Sequence, residues 1–330
     1  MTTFARAPGL ALRISVTDRC PLHCLYCRPR SLVEPRQAPQ ASPEVLQEAD
    51  IVRFVRVARD ALGVAKVRLT GGEPLVRGDI VELVAALGRL GIPDVALTTN
   101  GQRLAALAGP LREAGLHRIN ISLDSLDPDT FKRLAQGGEL GRTLAGIEAA
   151  CASGLAPVRI NTVVMRGMND HEAEAMVRFA LERGCELRFI ELMPSGLAPA
   201  DYDTWFVSSS ELRQRLERSF ALVPEAHEPG SSSRRFQASS DGKQGFVGFI
   251  SPNSHPFCSG CRRLRLTADG RLLGCLGRSE HIRLMGLLRA AHAVDDDADA
   301  RIAAAMRVAL GCKRGAGPFA VAMPMSSVGG

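Results

Sequence analysis

Aromatic residues are scarce in this 330-residue chain, at 5%, with one Trp and two Tyr. No basic run is interleaved with them, so the stacking platforms that bind single-stranded nucleic acid are missing and no nucleic-acid partner is expected. No stretch approaches the roughly 20 continuous apolar residues that span a bilayer. Residues 1–10 lack the apolar core of a secretory signal. A cytoplasmic protein without a membrane partner is the expectation. Lysine is nearly missing: 4 of the 41 basic residues are Lys and 37 are Arg. That bias suits a polyanionic ligand, because guanidinium matches phosphate geometry, but the base composition of a genome would produce it equally well.

The nine cysteines are an odd number, and a chain of this size needs no disulfide staples. Six fall in two tight groups, which points to metal. Cys151, Cys185 and Cys312 stand apart and read as small buried hydrophobes.

Along the first two-thirds, short β-like runs alternate with amphipathic helical stretches. Strands are predicted near 12–17, 66–70, 95–99, 118–123, 158–164 and 186–192, and helices over 43–62, 79–90, 104–114, 141–153 and 170–183. Such alternation implies parallel βαβ units. Six units make an incomplete (β/α)6 barrel, whose chemistry belongs at the C-terminal ends of the strands. The polar and Gly-rich motifs fall at those ends. Near Gly196 the rhythm breaks. Residues 225–242, rich in Ser, Gly and Pro, read as a flexible loop, followed by a β-like run over 244–250 and helical stretches over 280–290 and 299–310. The expected division is a partial barrel over 1–220 and a C-terminal lobe over 221–330.

The first cysteine group is Cys20-Pro21-Leu22-His23-Cys24-Leu25-Tyr26-Cys27, directly after the first strand. Three thiolates can hold three irons of a [4Fe–4S] cube and leave the fourth open to a small chelating molecule. A structural zinc needs four protein ligands, and His23, inside the tight loop, is badly placed to be the fourth. The second group is Cys258, Cys261 and Cys275. The same count permits a second cluster, and spacing alone leaves zinc open, since His255 lies just upstream. Gly71-Gly72-Glu73-Pro74 follows the second strand; taken alone, a Gly pair there is a turn.

The C-x3-C-x2-C loop followed by Gly-Gly-Glu-Pro resembles the radical S-adenosylmethionine (SAM) superfamily. The segment 248–276 is similar, almost throughout, to the C-terminal cluster region of the GTP 3',8-cyclase family of molybdenum cofactor biosynthesis. Further matches are Leu12-Arg13, Val67-Arg68, Thr98–Gly101, Ile121–Asp127, Asn161–Arg166, Leu187–Pro194 and the terminal Gly329-Gly330. The resemblance implies a TIM-like radical SAM barrel with an iron–sulfur lobe, two [4Fe–4S] clusters and SAM. It implies hydrogen abstraction from C3' of GTP, attack of C3' on C8 and reduction to (8S)-3',8-cyclo-7,8-dihydro-GTP.

By the same resemblance, Cys20, Cys24, Cys27, Cys258, Cys261 and Cys275 ligate iron, and Tyr26, Gly72, Ser122 and Met193 contact SAM. Arg13, Arg68, Thr98, Arg159, Arg263 and Arg265 line the GTP site. Arg188 acts near the substrate, and Gly329 and Gly330 reach toward the active site. A flavodoxin- or ferredoxin-like electron donor, a downstream cyclic pyranopterin monophosphate synthase and a homodimer are implied partners. The chain departs from the family at Arg159, where Lys is usual, at Arg262, where Asn is usual, and over 311–319. A radical SAM peptide-modifying enzyme with an auxiliary cluster is the alternative; it needs a peptide-binding element that the sequence does not display. A zinc or iron–sulfur scaffold protein would leave Gly-Gly-Glu-Pro and the arginines unexplained.

Overall fold

Each apolar run of the first 190 residues becomes a strand, and each amphipathic stretch the helix that covers it. The computed structural model describes residues 9–27, 45–194, 199–227, 230–278, 280–290 and 296–313. In chain order these form β1 (Ala11–Ser15), α1 (Glu48–Leu62), β2 (Lys66–Thr70), α2 (Ile80–Arg89), β3 (Asp94–Thr99), α3 (Leu104–Glu113), β4 (Arg118–Ser122), α4 (Pro128–Ala135), α5 (Leu140–Ala152), β5 (Val158–Val164), α6 (Ala173–Glu182) and β6 (Glu186–Glu191). The C-terminal part adds α7 (Pro199–Trp205), α8 (Ser209–Leu216), β7 (Ala221–Pro224), β8 (Ser233–Ser240), β9 (Lys243–Ile250), β10 (Arg263–Leu266), β11 (Arg271–Leu273), β12 (Ile282–Arg283), α9 (Met285–Arg289) and α10 (Asp296–Gly311).

The helices carry their own start and stop signals. At the head of α1 the Gln47 N–H donates to Asp50 Oδ2 at 2.9 Å, and Gly63 ends the helix in the left-handed conformation at φ 67°. Between them Ile51, Phe54, Val55 and Ala58 form one buried stripe. The strands follow the opposite rule. Leu12, Ile14, Leu69, Leu97, Ile119, Ile121, Ile160, Leu187 and Phe189 are at most 2% exposed and cluster with Phe54, Leu83, Leu111, Ile147 and Val177 of the helices. The residues between them on each strand face the lumen.

All described strands belong to one sheet, in the order β12-β11-β10-β1-β2-β3-β4-β5-β6-β9-β8-β7. The central eight, from β10 to β9, are mutually parallel, whereas the pairs at either edge are antiparallel. The two ends of the strand order do not pair, so the barrel is incomplete. The C-terminal part supplies strands to both edges of the six-stranded core: β10 beside β1 and β9 beside β6.

Four expectations need correcting. Residues 225–242 are not a loop throughout: β8 pairs with β9 from Ser233↔Ile250 to Ser240↔Lys243. The turn is Asp241-Gly242, both with positive φ, which is the two-residue hairpin chemistry that the Ser-rich composition obscured. The stretch 280–290 holds the short strand β12 before α9, not one continuous helix. α4 was missed, although Asp127 caps it by accepting from the Thr130 N–H at 2.8 Å and Pro128 occupies its first turn. Finally, of the three isolated cysteines only Cys185 is buried; Cys151 is half-buried and Cys312 exposed.

Candidate active site

A cavity of about 470 Å³ runs down the barrel lumen. Its upper end lies at the C-terminal ends of the strands, marked by Thr70, Thr99, Ser122 and Glu191; its lower end reaches Lys66 and Arg118, the first residues of β2 and β4.

At the upper end two loops lie back to back. The Gly72 and Glu73 N–H groups donate to the carbonyls of Thr17 and Arg19 at 2.7 and 2.8 Å. A Cβ on Gly72 would collide with the Arg19 carbonyl oxygen, so this close approach requires glycine. The Glu73 carboxylate then accepts from Leu75 N, Thr99 Oγ1 and Asn100 N at 3.0, 2.6 and 2.7 Å. Burial nevertheless pushes its pKa up to about 7.

The cysteine loop is held from the other side by α4. His23 N donates to Ala135 O at 2.9 Å and Leu25 N to Leu134 O at 3.0 Å. The Tyr26 hydroxyl donates to Asp124 Oδ2 at 2.7 Å, and Val163 N donates to Asp124 Oδ1 at 2.9 Å. Burial raises the Asp124 pKa to about 6 against those two bonds. The Cys24 thiol lies well above its ordinary range, first by burial and then by the negative charges of Asp124, Cys27 and Cys20. Three cysteines at one end of a cavity, with Cys24 resisting ionisation beside the other two, are a donor set that a cationic cluster would relieve. Among the described residues no group of three or more His, Cys, Asp or Glu gathers to hold a single metal ion.

Cys258, Cys261 and Cys275 line the same cavity. Gly274, just before Cys275, packs against the Ala309 carbonyl of α10 with no room for a Cβ, and Cys27, Met193, Leu273 and Leu276 form one small apolar cluster that joins the two cysteine regions. His255, the candidate fourth ligand for zinc, is exposed to solvent.

Below the cysteines the lumen is lined by arginine. Arg265, Arg13 and Arg68 are direct cross-strand neighbours on β10, β1 and β2. Like charges so placed repel. Burial, then Arg265, Arg68 and Arg263, lowers the Arg13 pKa. Burial, then Arg188 and Arg118, brings Arg68 down to about 9, and burial brings Arg265 down to about 10. Across the barrel Arg159 and Arg188 share one counter-charge: Glu186 accepts from Arg159 Nε at 3.0 Å and from Arg188 Nε at 2.6 Å. Arg159 Nη1 and Asn161 Oδ1, both on the cavity wall, are buried without a hydrogen-bond partner. A lumen with this much fixed positive charge and open hydrogen-bonding capacity is built for a polyanion.

Residues 14–180 match the family model described as the Radical SAM superfamily, and residues 185–313 match Molybdenum Cofactor Synthesis C. A protein of Marinobacter nauticus named GTP 3',8-cyclase is 44% identical over 288 residues, covering 87% of this chain and 84% of its own length. One of Pseudomonas putida with the same name is 46% identical over 282 residues, covering 84% and 82%. The chain belongs to the GTP 3',8-cyclase family. The structure of Streptococcus suis SuiB bound to S-adenosylmethionine shares the fold at a TM-score of 0.60 and 19% identity, over 91% of this chain and 68% of that one. As a radical SAM family, the GTP 3',8-cyclases use a [4Fe–4S] cluster and SAM.

In this GTP 3',8-cyclase family member the structure brings together Arg13, Cys20, Cys24, Tyr26, Cys27, Arg68, Gly72, Thr98, Ser122, Arg159, Arg188, Met193, Cys258, Cys261, Arg263, Arg265 and Cys275; all line the one cavity. Gly329 and Gly330 lie outside the described residues. Several neighbours escaped the sequence reading. Asp124 sits in the polar run that ends β4, which was the available signal. Glu186 becomes meaningful only through its register with Arg159. Lys313 donates from Nζ to the carbonyls of Arg263 and Gly274, and no local pattern announces it. Arg262, one of the departures from the family, also lines the cavity.

Proposed function

We propose that this enzyme converts GTP into (8S)-3',8-cyclo-7,8-dihydroguanosine 5'-triphosphate, an early step of molybdopterin biosynthesis. The observation that carries the reading is the register of Arg265, Arg13 and Arg68 across three adjacent strands, below two separate sets of three cysteines. Two like-charged neighbours, one on each side of Arg13, repel one another and become an asset around a triphosphate.

In this reading Cys20, Cys24 and Cys27 would hold one [4Fe–4S] cluster, and Tyr26, Gly72, Ser122 and Met193 would bind SAM. Cys258, Cys261 and Cys275 hold a second. The first cluster and SAM, when bound, supply a carbon-centred radical that removes hydrogen from C3' of GTP. The chain's own task is placement. Arg13, Arg68, Arg159, Arg263 and Arg265 grip the phosphates deep in the lumen, Thr98 adds a hydroxyl, and the ribose is thereby held under the upper loops. Arg188, anchored by Glu186, keeps positive charge beside the substrate. The apolar cluster of Cys27, Met193, Leu273 and Leu276 helps exclude water between the two cysteine regions. Gly329 and Gly330 are assigned to the mouth of the site. A flavodoxin- or ferredoxin-like protein supplies electrons, cyclic pyranopterin monophosphate synthase takes the product, and a homodimer is the proposed assembly.

Anaerobically prepared protein should hold about eight irons, four per cluster. Replacing Cys258, Cys261 and Cys275 by Ala should remove about half of them and leave SAM binding in place. Reduced enzyme given SAM and GTP should release 5'-deoxyadenosine and the cyclised triphosphate. One zinc at the second site, or SAM cleavage that yields no product derived from GTP, would sink the reading.

A further inference from the structure

Two cysteines that belong to neither cluster group lie against one another. Cys151, near the C-terminal end of α5, and Cys185, in the turn between α6 and β6, place their Sγ atoms 3.6 Å apart. They are 34 residues apart in sequence, and neither lines the cavity. Both thiols approach the Arg183 carbonyl, at 3.9 and 3.8 Å. The Arg183 side chain bends over the same spot, paired with Glu148 at 2.7 Å and stacked 3.9 Å above the Phe179 ring.

The two thiols are unequal. Cys151 is half-buried and within reach of a small solute, whereas Cys185 is only 2% exposed. The hydrogen bond between the two sulfurs lowers the Cys151 pKa, with Arg183 adding to the effect and burial and Glu148 opposing it. Cys185 moves the other way, raised by that same hydrogen bond and by burial. The more accessible sulfur, Cys151, meets a soluble oxidant first, and the buried Cys185 beside it is placed to resolve the product, which is the division of labour between an attacking and a resolving cysteine.

We propose that Cys151 and Cys185 form a reversible two-electron thiol–disulfide site, separate from the cluster cysteines, whose oxidant is a hydroperoxide. The Cys151 thiolate attacks the peroxide oxygen; the O–O bond breaks, hydroxide leaves and takes up a proton, and Cys151 becomes a sulfenic acid. The Cys185 sulfur then displaces water from that acid as its own proton is lost, and the S–S bond forms. In sum, two thiols and one hydrogen peroxide give one disulfide and two waters. A dithiol reductant of the thioredoxin class reverses the reaction by exchange. The closure asks for little movement, since a separation of 3.6 Å must shrink by about 1.5 Å to reach a disulfide bond length. The crosslink would sit one residue before Glu186, at the base of the strand that carries Arg188.

The test uses anaerobic holoenzyme exposed briefly to hydrogen peroxide, quenched in acid, alkylated and digested with trypsin. The expected product is a disulfide-linked pair of peptides, 143–159 with 184–188, that disappears on treatment with dithiothreitol. Exposed Cys312 serves as an internal reference, and the pair should lose its free thiols no more slowly than Cys312 despite being less accessible. A Cys185→Ser variant should leave Cys151 as a sulfenic acid that dimedone traps. Full alkylation of Cys151 and Cys185 in wild-type protein after Cys312 has been oxidised would overturn the proposal, as would a Cys185→Ser variant whose Cys151 yields no dimedone adduct.

Discussion

Arginines inside the barrel and arginines on its outside are the same residue under opposite conditions. Outside, Arg166 and Arg215 grip Glu211, Arg59 pairs with Asp60, and their pKa values rise because hydrogen bonds to carboxylates favour the charged form. Inside, Arg13, Arg68, Arg263 and Arg265 are all lowered, chiefly by burial. The outer set meets carboxylates, whereas the inner set lines the cavity and has other arginines as its charged neighbours. Composition alone leaves two explanations for 37 arginines; position separates them residue by residue.

The sharpest way to break that contrast is at Glu186, the acid between Arg159 and Arg188, whose side chain is 4% exposed. Burial would raise its pKa, but the attraction of Arg188 and Arg159 outweighs burial and holds it below the ordinary range. Its stabilisation is thus present above about pH 4.3 and is lost as pH falls through the depressed value. Glu186→Gln should cost ~3–5 kcal/mol at neutral pH, because two buried cations lose their partner. Thermal unfolding should show the loss, and saturating inorganic triphosphate should recover a large part of it.

Next come Arg68→Met and Arg265→Met. Each should weaken GTP binding by ~1.5–3 kcal/mol, the worth of a charge-assisted contact. Arg68→Met should not destabilise the ligand-free protein. Arg68 carries its buried charge in full below about pH 9, so removing it at neutral pH should leave the melting temperature unchanged or higher. A lower melting temperature together with unchanged GTP affinity would assign these arginines to structure.

The smallest effect belongs outside. Arg166→Ala breaks a pair with Glu211 that is about two-fifths exposed on both sides. Glu211 is pulled down to about 2 by Arg166 and then Arg215, yet solvent screening limits the loss to less than ~1 kcal/mol. The loss should vanish in high salt, and GTP affinity should not change. Urea titrations at two ionic strengths would measure it.

Much of this was legible before the structure, and the reason lies in period. Leu12-Arg13-Ile14, Val67-Arg68-Leu69, Val158-Arg159-Ile160 and Leu264-Arg265-Leu266 each set one arginine between two apolar residues. In a strand that pattern sends the apolar pair to the helices and the arginine to the lumen. What stayed hidden depends on partners far along the chain. Nothing local says that Arg265 lies beside Arg13, 252 residues earlier, that Glu186 meets Arg159, or that Cys151 touches Cys185. β8 was hidden for a different reason. Its buried residues Phe236 and Ala238 do alternate, but Ser and Arg fill the positions around them, and composition outweighed period.

β9 and β10 cover the outer edges of β6 and β1, and both follow residue 240. On the ribosome, the six-strand core therefore emerges with two bare edges, each a row of unpaired N–H and C=O groups able to recruit a strand from another chain. Only the last third of translation covers them. A fragment ending near residue 195 would keep every strand of the six-strand core and lack both guards, which makes it a seed for aggregation rather than a half-working enzyme. For this chain, a late stop in synthesis is more hazardous than an early one.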